Sequence, residues 1–345
     1  MTDRDALALD RHARVQAAMA RRGVGALLLA TPHLAAFASG ARRVQVAGSG
    51  SALPSVVIVA GAPSAVVFTA DPDGAPSWMA RAAVEPLAWD RERALRRLAE
   101  LVAPVPGKVA CDVFSPALRH AIGRPLVDAA PLVAEAAAPR TADEIAAVQT
   151  ALRAARAGLR AAVRAAAPGA AVSAIVAGFA ASMSRSGAGF PLGEGLVWRT
   201  GPRFVRLPTT AALAAGDVVA LELGLYLGGH AGVAADTVAV GGGDLTAARR
   251  AWFAALCALA KRCRPGATAA DLRAAAIAAG ARQEGLLAHG LGVGIEPPFV
   301  DLEGEDAEPV RPGMVLVLAP VVDGFRATRA LVVTGGSPRW LEGAP

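Results

Sequence analysis

Lysine is almost missing from this 345-residue chain: Lys108 and Lys261 are the only two. The net charge of +6 therefore rests on arginines spread along the whole length rather than on a lysine-rich arm. Aromatic residues make up only 4% of the chain, with a single tyrosine, and do not alternate with the arginines. That excludes the stacking platform of a single-strand binder, and no nucleic-acid partner is expected. Cysteine is scarce, and Cys111, Cys257 and Cys263 are odd in number without CxxC spacing. They read as buried thiols in a reducing compartment. Long hydrophobic runs are missing as well. Runs such as Gly25–Ala30 and Ser55–Ala60 are strand-sized, whereas a membrane span needs ~20 apolar residues. No membrane partner is expected. The opening MTDRDALALDRHARVQ mixes acids and bases and lacks the apolar region of a signal peptide, so the expected location is cytoplasmic.

What is present is an ordinary folded composition, 54% hydrophobic and 19% charged, with alanine supplying much of the former. The length suffices for two domains, each with its own core. The stretch Gly216–Val240, GDVVALELGLYLGGHAGVAADTVAV, reads as a β-hairpin around a Gly-rich turn. Its first strand carries the lone carboxylate of Glu222. A second stretch of the same design, Gly313–Gly335, starts about 97 residues further on. Each is preceded by helical sequence, which suggests a duplicated unit with a site between its halves.

Upstream, Asp10–Arg22 has helical spacing, Ala26–Ala30 reads as a strand, and Ser55–Ala60 with Ala65–Ala70 as a hairpin over Gly61-Ala62-Pro63. Asp90–Val102 reads as helix, Lys108–Val113 as strand and Ser115–Ile122 as a short helix. This is an α/β domain with a mixed sheet over residues 1–138. Pro139-Arg140 marks a junction, and Thr141-Ala142-Asp143-Glu144 then fits a capping box. Helices to about Ala166 and over Val172–Ser184 follow, then an irregular piece, Gly193–Thr210, before the first hairpin. Helices over Leu245–Arg262 and Ala269–Ala279 lead to AHGLGVGIEPP at 288–298 and the second hairpin. The second domain is set at 139–345.

Several of these stretches resemble the family of Xaa-Pro peptidases, methionine aminopeptidases and creatinase. RTADEIAAVQTALRAA is similar to the family's first catalytic-domain helix, and LPTTAALAAGDVVALELG to its PT-x-R-x-L-x-x-GD-x-V-x-x-D-x-G strand. AHGLGVGIEPP resembles GHGIG-xxx-HEPP, and RPGMVLVLAP resembles PGMV-xx-xEP. The resemblance implies a pita-bread catalytic-type domain over 139–345 behind a creatinase/prolidase N-terminal-like domain, and a homodimer. It also implies where ligands of a dimetal centre would stand. The Asp pair falls on Glu222 and Val233, the His on His289, and the Glu pair on Ala319 and Thr328. Two adjacent dications need several carboxylates to bridge and neutralise them, so no metal and no cofactor is expected. The resemblance is therefore closer to creatinase, the metal-free member. The segment matching creatinase's acid/base histidine reads GPRFVRLPTT, with Val205 nearest and no histidine.

The residues left to carry chemistry are few. His289, between Ala288 and Gly290-Leu291-Gly292, is the candidate acid/base, its glycines expected to let backbone or ligand approach the ring. Glu222 and Asp236 are expected to face one cavity and orient or stabilise charge. Glu296 replaces a second family histidine and could bind an amine. Arg203, Arg206, Arg326 and Arg329 are expected around the pocket the metals would fill, where guanidiniums suit an anionic ligand. His230 and Tyr226 lie at the hairpin turn and complete the candidate substrate-binding set. The expectation is a metal-independent, creatinase-like hydrolase acting on a C–N bond of a small polar molecule. The alternatives are an inactive pita-bread module that binds a peptide or protein, and a residual Xaa-Pro peptidase.

Overall fold

The apolar runs of the first domain become neighbouring strands of one mixed sheet. In the computed structural model Val24–Leu29 pairs antiparallel with Val56–Val59 on one side and parallel with Lys108–Cys111 on the other. The structure describes residues 3–41, 53–138, 140–192, 195–201, 203–282, 285–304 and 309–343. Pro139 of the junction and Gly193 of the irregular piece lie outside them. The chain forms two compact units, Met1–Ala138 and Pro139–Pro345.

In the first unit the sheet runs, by residue, 84–86, 66–69, 56–59, 24–29, 108–111, 126–128. Leu28, Val57 and Val109 bury one face under Leu95, Leu98 and Leu118 of two helices. Those helices start where a side chain can satisfy an orphan amide: Asp90 accepts from Arg93 N at 2.6 Å and Ser115 from Leu118 N at 3.1 Å. The first helix spans Asp3–Arg22 and begins earlier than its apolar spacing suggested. Pro32–Ser39 and Ala130–Ala137 are also helical. Their near-uniform alanine and apolar content gives no 3.6-residue contrast to read, so sequence periodicity passes over them.

The second unit opens with α1, Ala142–Ala165, under the capping box expected of it: Glu144 N donates to Thr141 Oγ1 at 3.2 Å and Thr141 N to Glu144 Oε2 at 3.0 Å. Helix α2, Val172–Arg185, packs on α1. The chain then enters strands β1, Leu196–Arg199, β2, Val218–Leu227, and β3, His230–Ala239. The piece read as irregular thus contributes β1, together with the short edge strand Val205–Arg206. Helices α3, Thr246–Arg262, and α4, Ala269–Ala278, come next. The last sheet has β4, Ala288–Leu291, β5, Ile295–Val300, β6, Val315–Leu318, and β7, Arg329–Val332. Its order is β5-β4-β6-β7 with Arg339–Trp340 outside β7.

The alanine bias has a packing consequence. Ala151, Ala155 and Ala162 put α1 close against β2 and β3, with Leu221, Leu223 and Ile175 filling the gaps. At the closest approach Gly232 is obligatory, because a Cβ there would overlap the Ala151 carbonyl. The two hairpins then join through side strands of hydrogen bonds. Ala235 N donates to Thr328 Oγ1 at 2.9 Å, Thr237 Oγ1 to Arg326 O at 2.8 Å, and Arg326 N to Thr237 Oγ1 at 2.9 Å. Near the turn, Ala231 N donates to Gly292 O at 2.7 Å.

Candidate functional site

Register decides which side chains of the first hairpin share a face. Glu222 stands opposite Ala235, Gly224 opposite Val233, and Leu221 opposite Asp236. Because side chains alternate along a strand, Glu222 and Asp236 point to opposite faces. The expected carboxylate pair in one cavity is therefore corrected. Asp236 instead accepts from Thr237 N at 2.9 Å and holds Arg249 of α3 at 3.4 Å.

What Glu222 meets is Arg326. The Arg326 backbone is clamped on both its polar groups by Thr237, and its Nη2 donates to Glu222 Oε1 at 2.9 Å. The Glu222 side chain is 36% exposed and that of Arg326 13%. Arg326 Nε is buried and has no hydrogen-bond partner among the described residues.

His289 lies on β4, whose register slips between His289 and Gly290. Its Nδ1 is 2.8 Å from the Gly290 carbonyl, a contact that assigns the proton to Nδ1 and leaves Nε2 as an acceptor. Among the described residues nothing hydrogen-bonds Nε2. Burial pushes the ring's pKa down to about 4; the Gly290 carbonyl works against that shift and the Arg326 charge adds to it. The imidazole is neutral at pH 7.

The glycines after His289 serve the loop rather than the ring. A Cβ on Gly290 would run into the Pro297 and Glu296 carbonyls, and one on Gly292 into the Arg140 guanidinium. That guanidinium is the partner of Glu296: Arg140 Nη2 pairs with Glu296 Oε2, while Oε1 accepts from Val293 N at 2.9 Å. Both side chains are nearly buried. Burial pushes the Glu296 carboxyl up, and Arg140 opposes the shift. Glu296, expected to bind an amine, is thus held in an internal ion pair. Tyr226 is half-buried beside it, its phenol pushed up to about 12 by burial and by the Glu296 charge. His230 is buried, Nδ1 3.2 Å from the Gly228 carbonyl.

The four arginines do not form one cluster. Arg203 and Arg206 are exposed, Arg206 on the edge strand, with Val205 exposed beside it. Arg329 follows Thr328 on the strand opposite Leu318 and sits with Trp252 and Arg249 of α3. Only Arg326 joins Glu222 and His289. Arg140 was read only as part of the junction and not as a site residue, and its one trace in the sequence is Gly292, the gap it fills.

These residues do not fit a dimetal centre. Val233 packs against an apolar cluster that includes Leu291 and Val317, Ala319 is buried, and the Thr328 hydroxyl is engaged by Ala235 N. Among the described residues no three His, Cys, Asp or Glu side chains gather to hold an ion. Arg326 also brings a positive charge onto Glu222, where a cation would be repelled.

The model of metallopeptidase family M24 matches residues 146–335, more than half of the chain. The chain belongs to family M24. No curated protein matches it. In solved structures this M24 chain is similar over nearly its whole length to an Xaa-Pro dipeptidase from Bacillus anthracis. The two share 18% identity and a TM-score of 0.76, with 98% of each chain covered. Dipeptidase PepE from Mycobacterium ulcerans shares 19% identity and a TM-score of 0.75, with 100% of this chain and 97% of that one covered. The prolidase from Pyrococcus horikoshii shares 15% and 0.74, with 97% and 98% covered. At such identities the likeness establishes the fold, a two-part α/β chain with a pita-bread second unit. No described helix is long and apolar enough to cross a membrane.

Proposed function

We propose that this M24 chain is a metal-independent binding module, taking a small polar molecule or peptide at the Glu222–Arg326–His289 cluster without hydrolysing it. The observation that carries the reading is the Arg326–Glu222 ion pair. It neutralises internally the charge that a dication would otherwise meet, and leaves a site of zero net charge once His289 is neutral. A base with a pKa near 4 has little driving force for proton abstraction at pH 7, where the best general base titrates near the working pH. The same ring is a good acceptor for a ligand N–H or O–H.

A second reading, the creatinase-like hydrolase acting on a C–N bond, is favoured by one observation. The contact to Gly290 O fixes the ring tautomer and leaves Nε2 open, as a catalytic histidine requires. The residual Xaa-Pro peptidase shares the family but asks for a metal that these side chains do not suit. One experiment separates all three. Xaa-Pro dipeptides, ureas and amidines are incubated with the full chain, with and without Mn²⁺ or Co²⁺, beside the His289→Gln form. The binding module predicts no turnover in any arm, and ligand affinities within a few-fold between the two forms. Turnover only with metal would establish the peptidase. Metal-free turnover that falls by about 10²–10⁴ in the Gln form would establish the hydrolase.

A further inference from the structure

Around Asp236, which faces away from Glu222, three arginines and two carboxylates leave a charge unmet. Arg156 of α1 and Glu342 close on each other: Arg156 Nε donates to Oε1 at 2.5 Å, and Oε2 also accepts from Ala330 N at 3.1 Å. Arg249, Arg329 and Asp236 remain. Asp236 shares its charge between Thr237 N and a loose 3.4 Å contact to Arg249. Arg329 has no carboxylate at ion-pair distance among the described residues. Its guanidinium makes one hydrogen bond, Nη1 to the Thr328 carbonyl at 2.8 Å, and lies 5.7 Å from the centre of the Trp252 ring.

A guanidinium cannot shed its charge by losing a proton at any ordinary pH, so a poorly solvated one needs an anion. Arg329 is half-buried among charges of both signs. Its pKa is lowered, first by burial and then by Arg156; Glu342 and Asp236 work against that shift, and Arg249 adds to it. Arg249 is the natural second arm, since its side chain is half-exposed and lies 5.0 Å over the Phe325 ring. Two guanidiniums against the one carboxylate of Asp236 leave a single positive charge. We propose that Arg329 and Arg249 form a binding site for the carboxylate group of a small ligand. A planar carboxylate accepts two parallel N–H bonds from a guanidinium fork and brings the one negative charge that is missing. This site stands on other residues than the Glu222 cluster and does not depend on what that cluster does.

Acetate is the probe. Thermal unfolding of the full chain is followed while sodium acetate replaces sodium chloride at constant ionic strength. The series is repeated with Arg329→Gln, Arg249→Gln and Arg160→Gln, the last removing an exposed arginine of α1 as a charge control. The expected result is a saturating rise of the wild-type midpoint with acetate. The half-saturating concentration should increase about tenfold or more in Arg329→Gln, increase also in Arg249→Gln, and stay unchanged in Arg160→Gln. Should Arg329→Gln fail to fold, the exposed Arg249 position carries the test. The same curve in the wild type and in the arginine variants, or a wild type indifferent to acetate over chloride, would overturn the proposal. A parallel phosphate series checks the class: a response to phosphate without one to acetate would overturn the carboxylate assignment.

Discussion

Arg326 reaches from the second hairpin to donate to Glu222 of the first at 2.9 Å, and its charge also bears on His289. The pair matters most to Arg326, which left alone would be a poorly solvated charge acting on a buried ring. Arg326→Met should therefore cost about 1–3 kcal/mol of stability. The double change with Glu222→Gln should recover part of that loss. Chemical denaturation of the two single forms and the double form measures the coupling. A coupling energy of zero would mean that the two side chains are merely near one another.

His289 supplies a pH signature with a definite sign. Its folded pKa is about 4, against about 6.5 for an unperturbed histidine. The unfolded chain thus binds more protons between those values, and stability is lost as pH falls from about 6.5 towards about 4. The loss for this group approaches ~3 kcal/mol. Above pH 6.5 both states hold a neutral ring and the group contributes no slope. Denaturation midpoints measured at closely spaced pH values should show this slope in the wild type and less of it in His289→Gln. An equal slope in both forms would place the ring in contact with water.

The Arg140–Glu296 pair should behave as a structural clamp on the loop after His289. Arg140→Met strands a buried carboxylate and should cost about 3–5 kcal/mol. Gly292→Ala should cost less, about 1–3 kcal/mol, for a different reason, since its methyl would push the guanidinium aside. Exposed Arg203→Met, by contrast, should fall within about 0.5 kcal/mol of wild type. Thermal unfolding of the three forms ranks them. Parity between Gly292→Ala and Arg203→Met would refute the clamp.

How far the sequence carried can be judged from these same residues. The β2–β3 hairpin was legible because ten-residue apolar strands around Gly228-Gly229 leave few other conformations open. The α1 start was legible because a capping box is a local pattern. The second hairpin was legible only in outline: between β6 and β7 the chain inserts a further small pair, Val321–Val322 with Phe325–Arg326. That insertion is what aims Arg326 at Glu222. Separations of 104 residues for Arg326–Glu222 and 156 for Arg140–Glu296 leave no pattern in the chain that pairs them, Gly292 being the one mark of Arg140. The opposite facing of Glu222 and Asp236 could have been read from strand alternation, had the hairpin register been fixed from its Gly228-Gly229 turn.

The last prediction concerns metal. If Val233, Ala319 and Thr328 stand where carboxylates would be needed, and Arg326 holds Glu222, divalent ions have no site to stabilise. A ligand that binds only the folded state raises stability by RT ln(1 + [L]/Kd), about 2.7 kcal/mol at a hundred times Kd. At millimolar Mn²⁺, Co²⁺ or Zn²⁺, a site with micromolar affinity would exceed that and move the melting midpoint by several degrees. The expected outcome is a midpoint that neither the ions nor EDTA change by more than about 1 °C, the shift left when almost no binding energy is involved. Arg326→Met makes the comparison sharper, since it removes the positive charge while keeping Glu222 and His289. A midpoint that becomes metal-sensitive only in that variant would identify the guanidinium as the element that excludes the ion. A metal-dependent midpoint in the wild type would instead mean that Glu222 and His289 recruit further ligands, and the metal-independent reading would fall.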